Sequence, residues 1–324
     1  MSNMSTPILK LDGVSTNYQT LRGWVRATEN VSFEIARGEA MGLVGESGCG
    51  KTTIALSILK ILPPGAKIRK GKILFDGADI VPFSDSKMRK EIRWKGISII
   101  FQGAMNAMNP VFKVGDQIIE AIRLHEPDVS KEEALKRTEA LLEMVGVEPS
   151  RVSNYPHEFS GGMRQRALIA MALACNPKLL IADEPGTALD VIVQAQVLQL
   201  MRDLKEKLGL SMMMISHDLS IVAEVCEKLA IMYAGNVAEY GDVESVFKEP
   251  LHPYTQGLIK AFPTIKGERQ KLVSIPGQPP DLLNPPTGCK FHPRCPYAMD
   301  ICKKENPQLK KQGPGEHYVA CHLY

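Results

Sequence analysis

Short apolar runs alternate with longer mixed stretches along most of the chain. Ala40–Val44 is an apolar run that stops at Gly45. Over residues 52–62, Ile54, Leu56, Ile58, Leu59, Ile61 and Leu62 make a helix that is apolar nearly all round, and Pro63-Pro64-Gly65 stops it. Further apolar runs at 72–75, 97–101, 179–182, 211–215 and 229–233 lack period-2 alternation. Parallel strands covered on both faces have this pattern. Such strands separated by helices predict an α/β, doubly wound core. Between Val111 and Pro156 the pattern turns helical: Ser130-Lys131-Glu132-Glu133 is a capping box opening a helix to about Val145, closed by Gly146. After Tyr240, prolines, glycines and cysteines accumulate. The expected organisation is a core over 1–240, a mostly helical subdomain inserted at about 103–176, and a loop-rich accessory region over 241–324.

Composition narrows the class. The 324 residues suit one large domain, or a core with an appendage. A formal charge of +3, with no blocks of like charge, argues against a nucleic-acid binder. The start of the chain lacks the apolar centre of a signal peptide. No run reaches the ~18 apolar residues of a membrane-spanning helix. Any membrane role is therefore expected to come through partners.

Chemistry enters at Gly45-Glu46-Ser47-Gly48-Cys49-Gly50-Lys51-Thr52, which fits G-x-x-x-x-G-K-[ST]. A triphosphate has to be wrapped by backbone N–H groups, and glycines let the chain approach it. The helix that follows aims its N-terminus at the anion. Lys51 reaches the β- and γ-phosphates and the Thr52 hydroxyl takes a Mg²⁺ position. A strand before the loop and a helix after it argue against a chance match. The run 179–182 then ends in Asp183 and Glu184. Beside a phosphate loop, such a strand can deliver Asp183 to Mg²⁺ and let Glu184 polarise an attacking water. The plainer alternative is a strand that simply reaches solvent at its acidic end.

Phe159-Ser160-Gly161-Gly162-Met163 opens a helix to about Cys175 and makes a second anion site at a helix N-terminus. One fold rarely needs two such sites unless one serves a neighbour. These residues resemble the signature of the ABC ATPase family, usually written L-S-G-G-Q, on a P-loop NTPase core. The resemblance covers nearly the whole chain. It implies head-to-tail pairing, with each ATP between the phosphate loop of one domain and the signature of the other. On this resemblance Gly45, Glu46, Ser47, Gly48, Cys49, Gly50, Lys51, Thr52 and Thr53 contact ATP. Ser160, Gly161, Gly162 and Met163 serve the partner's ATP, and Ala188-Leu189-Asp190 is the D-loop that crosses the interface. Gln102 matches the Q-loop glutamine, a sensor of Mg²⁺ and of the membrane partner. His217 matches the switch histidine at the γ-phosphate, although a lone histidine is more often structural. Tyr18 sits where the family stacks an aromatic on adenine, with Trp24 a competing aromatic nearby.

The string 155–166, residues 188–197 and His252-Pro253-Tyr254-Thr255 are similar to D-type ATPase subunits of dipeptide and oligopeptide importers. This implies an ATP-hydrolysing subunit on the cytoplasmic face of the membrane. Its expected partners are an F-type ATPase subunit, two transmembrane permease subunits and an extracytoplasmic binding protein. A homodimer remains the alternative to the F-type pairing. The same branch handles oligosaccharides, nickel and glutathione, and the ATPase does not touch the substrate. A more distant alternative is a soluble iron–sulfur ABC ATPase acting on nucleic acid or ribosomes. Those usually carry two ATPase halves or a long coiled-coil arm, and neither is present here. Three departures stand out: Met163 for the usual glutamine, Gly186 for the usual threonine, and no aspartate in Gly103-Ala104-Met105-Asn106-Ala107-Met108-Asn109-Pro110.

Cys289-x5-Cys295-x6-Cys302-x18-Cys321 gathers four thiols in a short proline-rich stretch that lacks a core of its own. Zinc sites usually show C-x2–4-C pairs, absent here. The wider spacing, with Cys295-Pro296 matching the Cys-Pro step of ferredoxin runs, suits an iron–sulfur cluster. The family resemblance implies a [4Fe–4S] cluster, expected to be structural because ATP hydrolysis needs no electron transfer; zinc and no metal at all are the alternatives, with His292, His317 and His322 as lesser ligands.

Overall fold

A computed structural model describes residues 6–103, 107–261 and 275–324. Ala104, Met105 and Asn106, in the segment singled out after Gln102, lie outside the described residues. In chain order the strands are β1 (Leu9–Thr20), β2 (Gly23–Ile35), β3 (Ala40–Val44), β4 (Ala66–Phe75), β5 (Ala78–Asp79), β6 (Ile97–Ile100), β7 (Leu179–Asp183), β8 (Ser211–Ser216), β9 (Lys228–Tyr233), β10 (Asn236–Asp242), β11 (Lys310–Lys311) and β12 (His317–Val319). The α-helices are α1 (Lys51–Leu59), α2 (Asp85–Lys87), α3 (Val114–His125), α4 (Lys131–Met144), α5 (Gly161–Ala172), α6 (Val191–Leu208), α7 (Leu219–Val225), α8 (Val243–Lys248), α9 (Pro253–Ala261) and α10 (Asp300–Lys304).

The chain divides into two compact units. The first is built on Ile35–Ala40 and Pro82–Ile215. In it β6 pairs parallel with β7, and β7 with β8, so that Ile97, Leu179 and Ser211 share one register. All five residues of β7 and all six of β8 are buried, as an apolar run without alternation requires. Ser130 Oγ accepts from the Glu133 N–H at 3.1 Å, opening α4, and α3 and α5 pack against it. The second unit takes Leu9–Glu34, Met41–Val81 and Ser216–Tyr324. Here β3 runs parallel to β9, while β10 turns back antiparallel on β9 and pairs on its other side with β12.

Two features depart from the sequence reading. The run 72–75 is not a parallel core strand. It ends β4, whose residues 66–72 are mostly exposed and which pairs antiparallel with β1 in a separate sheet ordered β2-β1-β4-β5. Its apolar end fits this place because only Ile73 and Phe75 of 72–75 are fully buried. The second departure is in the loop-rich tail, which supplies two strands: β12 pairs Val319 with Glu239 and His317 with Gly241, and β11 pairs with β12.

The tail is also fixed by a buried polar knot. Glu239, fully buried, accepts from the backbone N–H groups of Leu251 and His252 at 2.9 and 2.8 Å, and contacts His317 Nε2 at 2.7 Å. His252 Nδ1 accepts from the Tyr254 N–H at 3.0 Å, which requires that nitrogen to be unprotonated. Burial pushes the His252 pKa down from the ordinary 6.5 to about 4, against the opposing charge of Glu239. Below the ordinary value the unfolded chain takes up a proton that the folded chain refuses. Stability present above about pH 6.5 is therefore lost as pH falls towards 4, by about 3 kcal/mol in all. Urea unfolding between neutral and mildly acid pH should show this loss, and His252→Gln should flatten it; an unchanged slope would remove His252 as the cause.

Candidate ATP site

The phosphate loop is shaped by its glycines and by the backbone beneath it. Gly50 has φ 104, and a Cβ there would lie 2.4 Å from the Ala27 carbonyl oxygen. The loop is tied down by Gly235 N–H to Cys49 O at 2.9 Å, and Gly235 O in turn accepts from the Glu29 N–H at 2.8 Å. Lys51 is 7% exposed, and its Nζ donates to Gly45 O at 2.6 Å and Glu46 O at 3.1 Å. The ammonium thus lies inside the loop's own curl, against carbonyl oxygens. Burial pushes the Cys49 thiol up, so it sits there as a neutral small side chain. Thr52 is exposed in the first turn of α1, and Thr53 Oγ1 meets the Tyr18 hydroxyl at 3.0 Å. Tyr18 is therefore held over the start of α1, whereas Trp24 is 37% exposed and is covered by Arg69 at 4.9 Å. His217 is exposed, directly after β8.

In the other unit, β7 ends at Asp183, 1% exposed, and Glu184 follows with φ 49. A non-glycine residue in this left-handed region is strained by roughly 1–2 kcal/mol, and such strain concentrates at functional positions. The strain is held in place: the Glu184 N–H donates to Ile215 O at 2.9 Å, and Oε2 accepts from Gln102 Nε2 at 2.8 Å and Thr187 Oγ1 at 2.9 Å. Gln102 and Glu184 are thus brought together, and Thr187 is a holding residue that the sequence reading missed. Ser160 caps α5 by accepting from the Met163 N–H at 3.3 Å, leaving Gly161–Arg164 half-buried around an exposed serine. At Gly162 a Cβ would meet Val193 at 2.7 Å, so glycine is required by packing as well as by access. Asp190 caps α6 through the N–H groups of Ile192 and Val193, and Val191 and Ile192 are 82% and 72% exposed beside it. A side chain at Gly186 would first meet Gln194, a flexible neighbour, at 2.7 Å.

The four cysteines of the tail share one neighbourhood. Burial first, and then the charges of Cys302, Cys321 and Cys295, push the Cys289 thiol up to about 11. Cys295 and Cys321 are raised in the same way, burial first and neighbouring thiolates after. Among the described residues, no group of His, Cys, Asp and Glu side chains closes around a single metal ion. The nearby histidines are engaged elsewhere: His292 with Cys289 O, His317 with Glu239 and His322 with Glu305 O.

The ABC transporter family matches residues 28–187, and the C-terminal region of the oligopeptide/dipeptide transporter family matches 238–302. An oligopeptide transport ATP-binding protein, OppD, of Bacillus subtilis is 48% identical over 98% of this chain and 89% of its own. The chain belongs to the ABC transporter family. A dipeptide transport ATP-binding protein, DppD, of Caldanaerobacter subterraneus is 42% identical, with 98% and 97% covered. Among solved structures, a dimeric bacterial ABC transporter cassette aligns with 72% of this chain and 98% of its own, at 29% identity and a TM-score of 0.64. The α/β P-loop fold and ATP hydrolysis coupled to transport follow from family membership. No helix of the described residues is long and apolar enough to cross a membrane.

Proposed function

We propose that this chain is the ATP-hydrolysing subunit of a di- and oligopeptide importer, held at the cytoplasmic face of the membrane by permease subunits and fed by an extracytoplasmic binding protein. The observation that carries the substrate class is the match of 238–302 to the peptide-transporter C-terminal region, beside full-length relatives named for peptide transport. Peptides recovered from the cognate binding protein and identified by mass spectrometry test it. Oligosaccharide, nickel or glutathione recovered instead would overturn it.

In the proposed cycle, Lys51 exchanges the Gly45 and Glu46 carbonyl oxygens for phosphate oxygens, and the N-terminus of α1 faces the anion. Tyr18 stacks on adenine and His217 contacts the γ-phosphate. Thr52, Asp183 and Gln102 are the residues that would hold Mg²⁺, which would supply charge neutralisation for the triphosphate. Glu184 polarises the attacking water. Ser160, Gly161, Gly162 and Met163 complete the partner's site, with Asp190 at the interface; the exposed Val191 and Ile192 support a surface that another subunit covers. Closure then pulls on the segment after Gln102, where exposed Val111 and Phe112 offer apolar surface to a permease subunit.

The partner in this scheme is an F-type ATPase subunit, and a homodimer is the rival. Mixing the two purified chains should stimulate hydrolysis well above either alone. The accessory region from about 241 carries a [4Fe–4S] cluster on Cys289, Cys295, Cys302 and Cys321 in this reading. Their shared neighbourhood supports it, and zinc would need sulfurs drawn to about 2.3 Å from one ion. Anaerobically purified protein should contain iron and acid-labile sulfide, both lost in a Cys289→Ser variant; stoichiometric zinc would replace the cluster.

A further inference from the structure

The residue between the first two tail cysteines that reaches furthest is Arg294. Its side chain is 5% exposed, and its guanidinium grips Glu46 of the phosphate loop with both arms, Nη1 to Oε2 at 2.7 Å and Nη2 to Oε1 at 3.0 Å. The third nitrogen, Nε, donates to Pro276 O at 2.8 Å, and Nη1 also reaches the Tyr233 hydroxyl at 3.3 Å. The rest of Glu46 is held too: its N–H donates to the Tyr254 hydroxyl at 3.0 Å, and its carbonyl accepts from Lys51. The next two loop residues, Ser47 and Gly48, are exposed. Four positions before Arg294, Lys290 forms a second post. Its buried Nζ donates to Ala234 O at 2.9 Å and pairs with Glu29 at 2.9 Å. Ala234 adjoins Gly235, whose N–H holds Cys49 O. One short segment of the tail therefore supports the phosphate loop from below at two points.

We propose that Arg294 is a positioning residue of the ATP site: it fixes Glu46, and so the curl of the phosphate loop, and it neutralises a carboxylate that would otherwise face the triphosphate. The proposal rests on the loop being the ATP site. A bidentate guanidinium–carboxylate pair fixes geometry as well as charge. Removing the arginine alone leaves Glu46 half-buried, unpaired and negative beside the place where four phosphate charges arrive, and frees it to compete for Lys51. Removing both charges leaves no such competitor.

ATP affinity and turnover of the full-length chain are the readouts. Arg294→Met is expected to weaken ATP binding about tenfold and to raise KM more than it lowers kcat. Glu46→Gln combined with Arg294→Met is expected to bind ATP several-fold more tightly than Arg294→Met alone, because it is the uncompensated charge that harms. Arg294→Lys, which keeps the charge but not the fork, is expected to lie between them. A purely structural arginine, holding Pro276 and Tyr233, would give a double variant no better than the single one, and that result overturns the proposal. So does wild-type affinity in Arg294→Met, or in Arg294→Lys if the methionine variant does not fold. Failure of the unsubstituted chain to bind ATP would instead undo the reading of the loop itself.

Discussion

Glu184→Gln should bind ATP with nearly unchanged affinity and turn it over at least about a hundredfold more slowly, the low end of what a positioned general base contributes. The substitution is close to isosteric. The strained backbone at φ 49 stays anchored by the N–H bond to Ile215 O, and a carboxamide can still accept from Gln102 or Thr187. What it cannot do is take up a proton from water. ATP-bound protein should therefore accumulate in the closed, paired form, visible as a dimer in size-exclusion chromatography with ATP and Mg²⁺. Near-normal turnover would end the general-base assignment.

Gly50→Ala is the second large effect. The added Cβ would sit 2.4 Å from Ala27 O and 3.0 Å from Thr28 Cγ2, at a φ of 104 that side chains seldom adopt. The carbonyl cannot give way easily, because it belongs to β2, next to the Glu29–Gly235–Cys49 backbone chain that holds the loop. The loop should shift instead, carrying the N-terminus of α1 and Lys51 with it. Expected results are loss of measurable ATP binding at concentrations that saturate wild type, and a melting point lowered by several degrees. Gly48→Ala is the internal comparison. Its φ is 78, but nothing lies within 4 Å of the new Cβ, so only backbone strain of roughly 1–2 kcal/mol applies to its stability. Equal melting points for the two variants would show that steric contact with Ala27 is not the cause.

Where the chain follows its own periodicity, the sequence was a good guide. Ala40–Val44 is β3 at the bounds the apolar run predicts, and the runs at 97–101, 179–182, 211–215 and 229–233 became β6, β7, β8 and β9 within a residue or two. The helix expected over 52–62 ends sooner, because Lys60 turns left-handed at φ 51 and its N–H caps back onto Leu56 and Ser57. The β1–β4 sheet was harder to see. Residues 66–72 are polar and mostly exposed, and are extended because β1 pairs with them, not because of any pattern of their own. The ATP motifs were legible because phosphate wrapping dictates residue types at fixed spacing. Arg294 was not, since its carboxylate lies 248 positions away and a lone arginine between two cysteines has no pattern. Thr187 was missed for a related reason: its hydroxyl matters only once Glu184 has turned to meet it.

The pairing of β10 with β12 bears on how the polypeptide is made. Glu239 and Gly241 take their partners, Val319 and His317, from far down the chain, and a side chain at Gly241 would strike the Glu316 carbonyl at 2.7 Å. On the ribosome, β9 and β10 can zip together early, but the outer side of β10 waits as a bare ladder of N–H and C=O groups until residue 319 has emerged. During that interval it is a template for strands of other nascent chains. The tail therefore also closes a seam, and synthesis that stalls between Arg294 and β12 would leave the supports of the phosphate loop in place beside an adhesive edge.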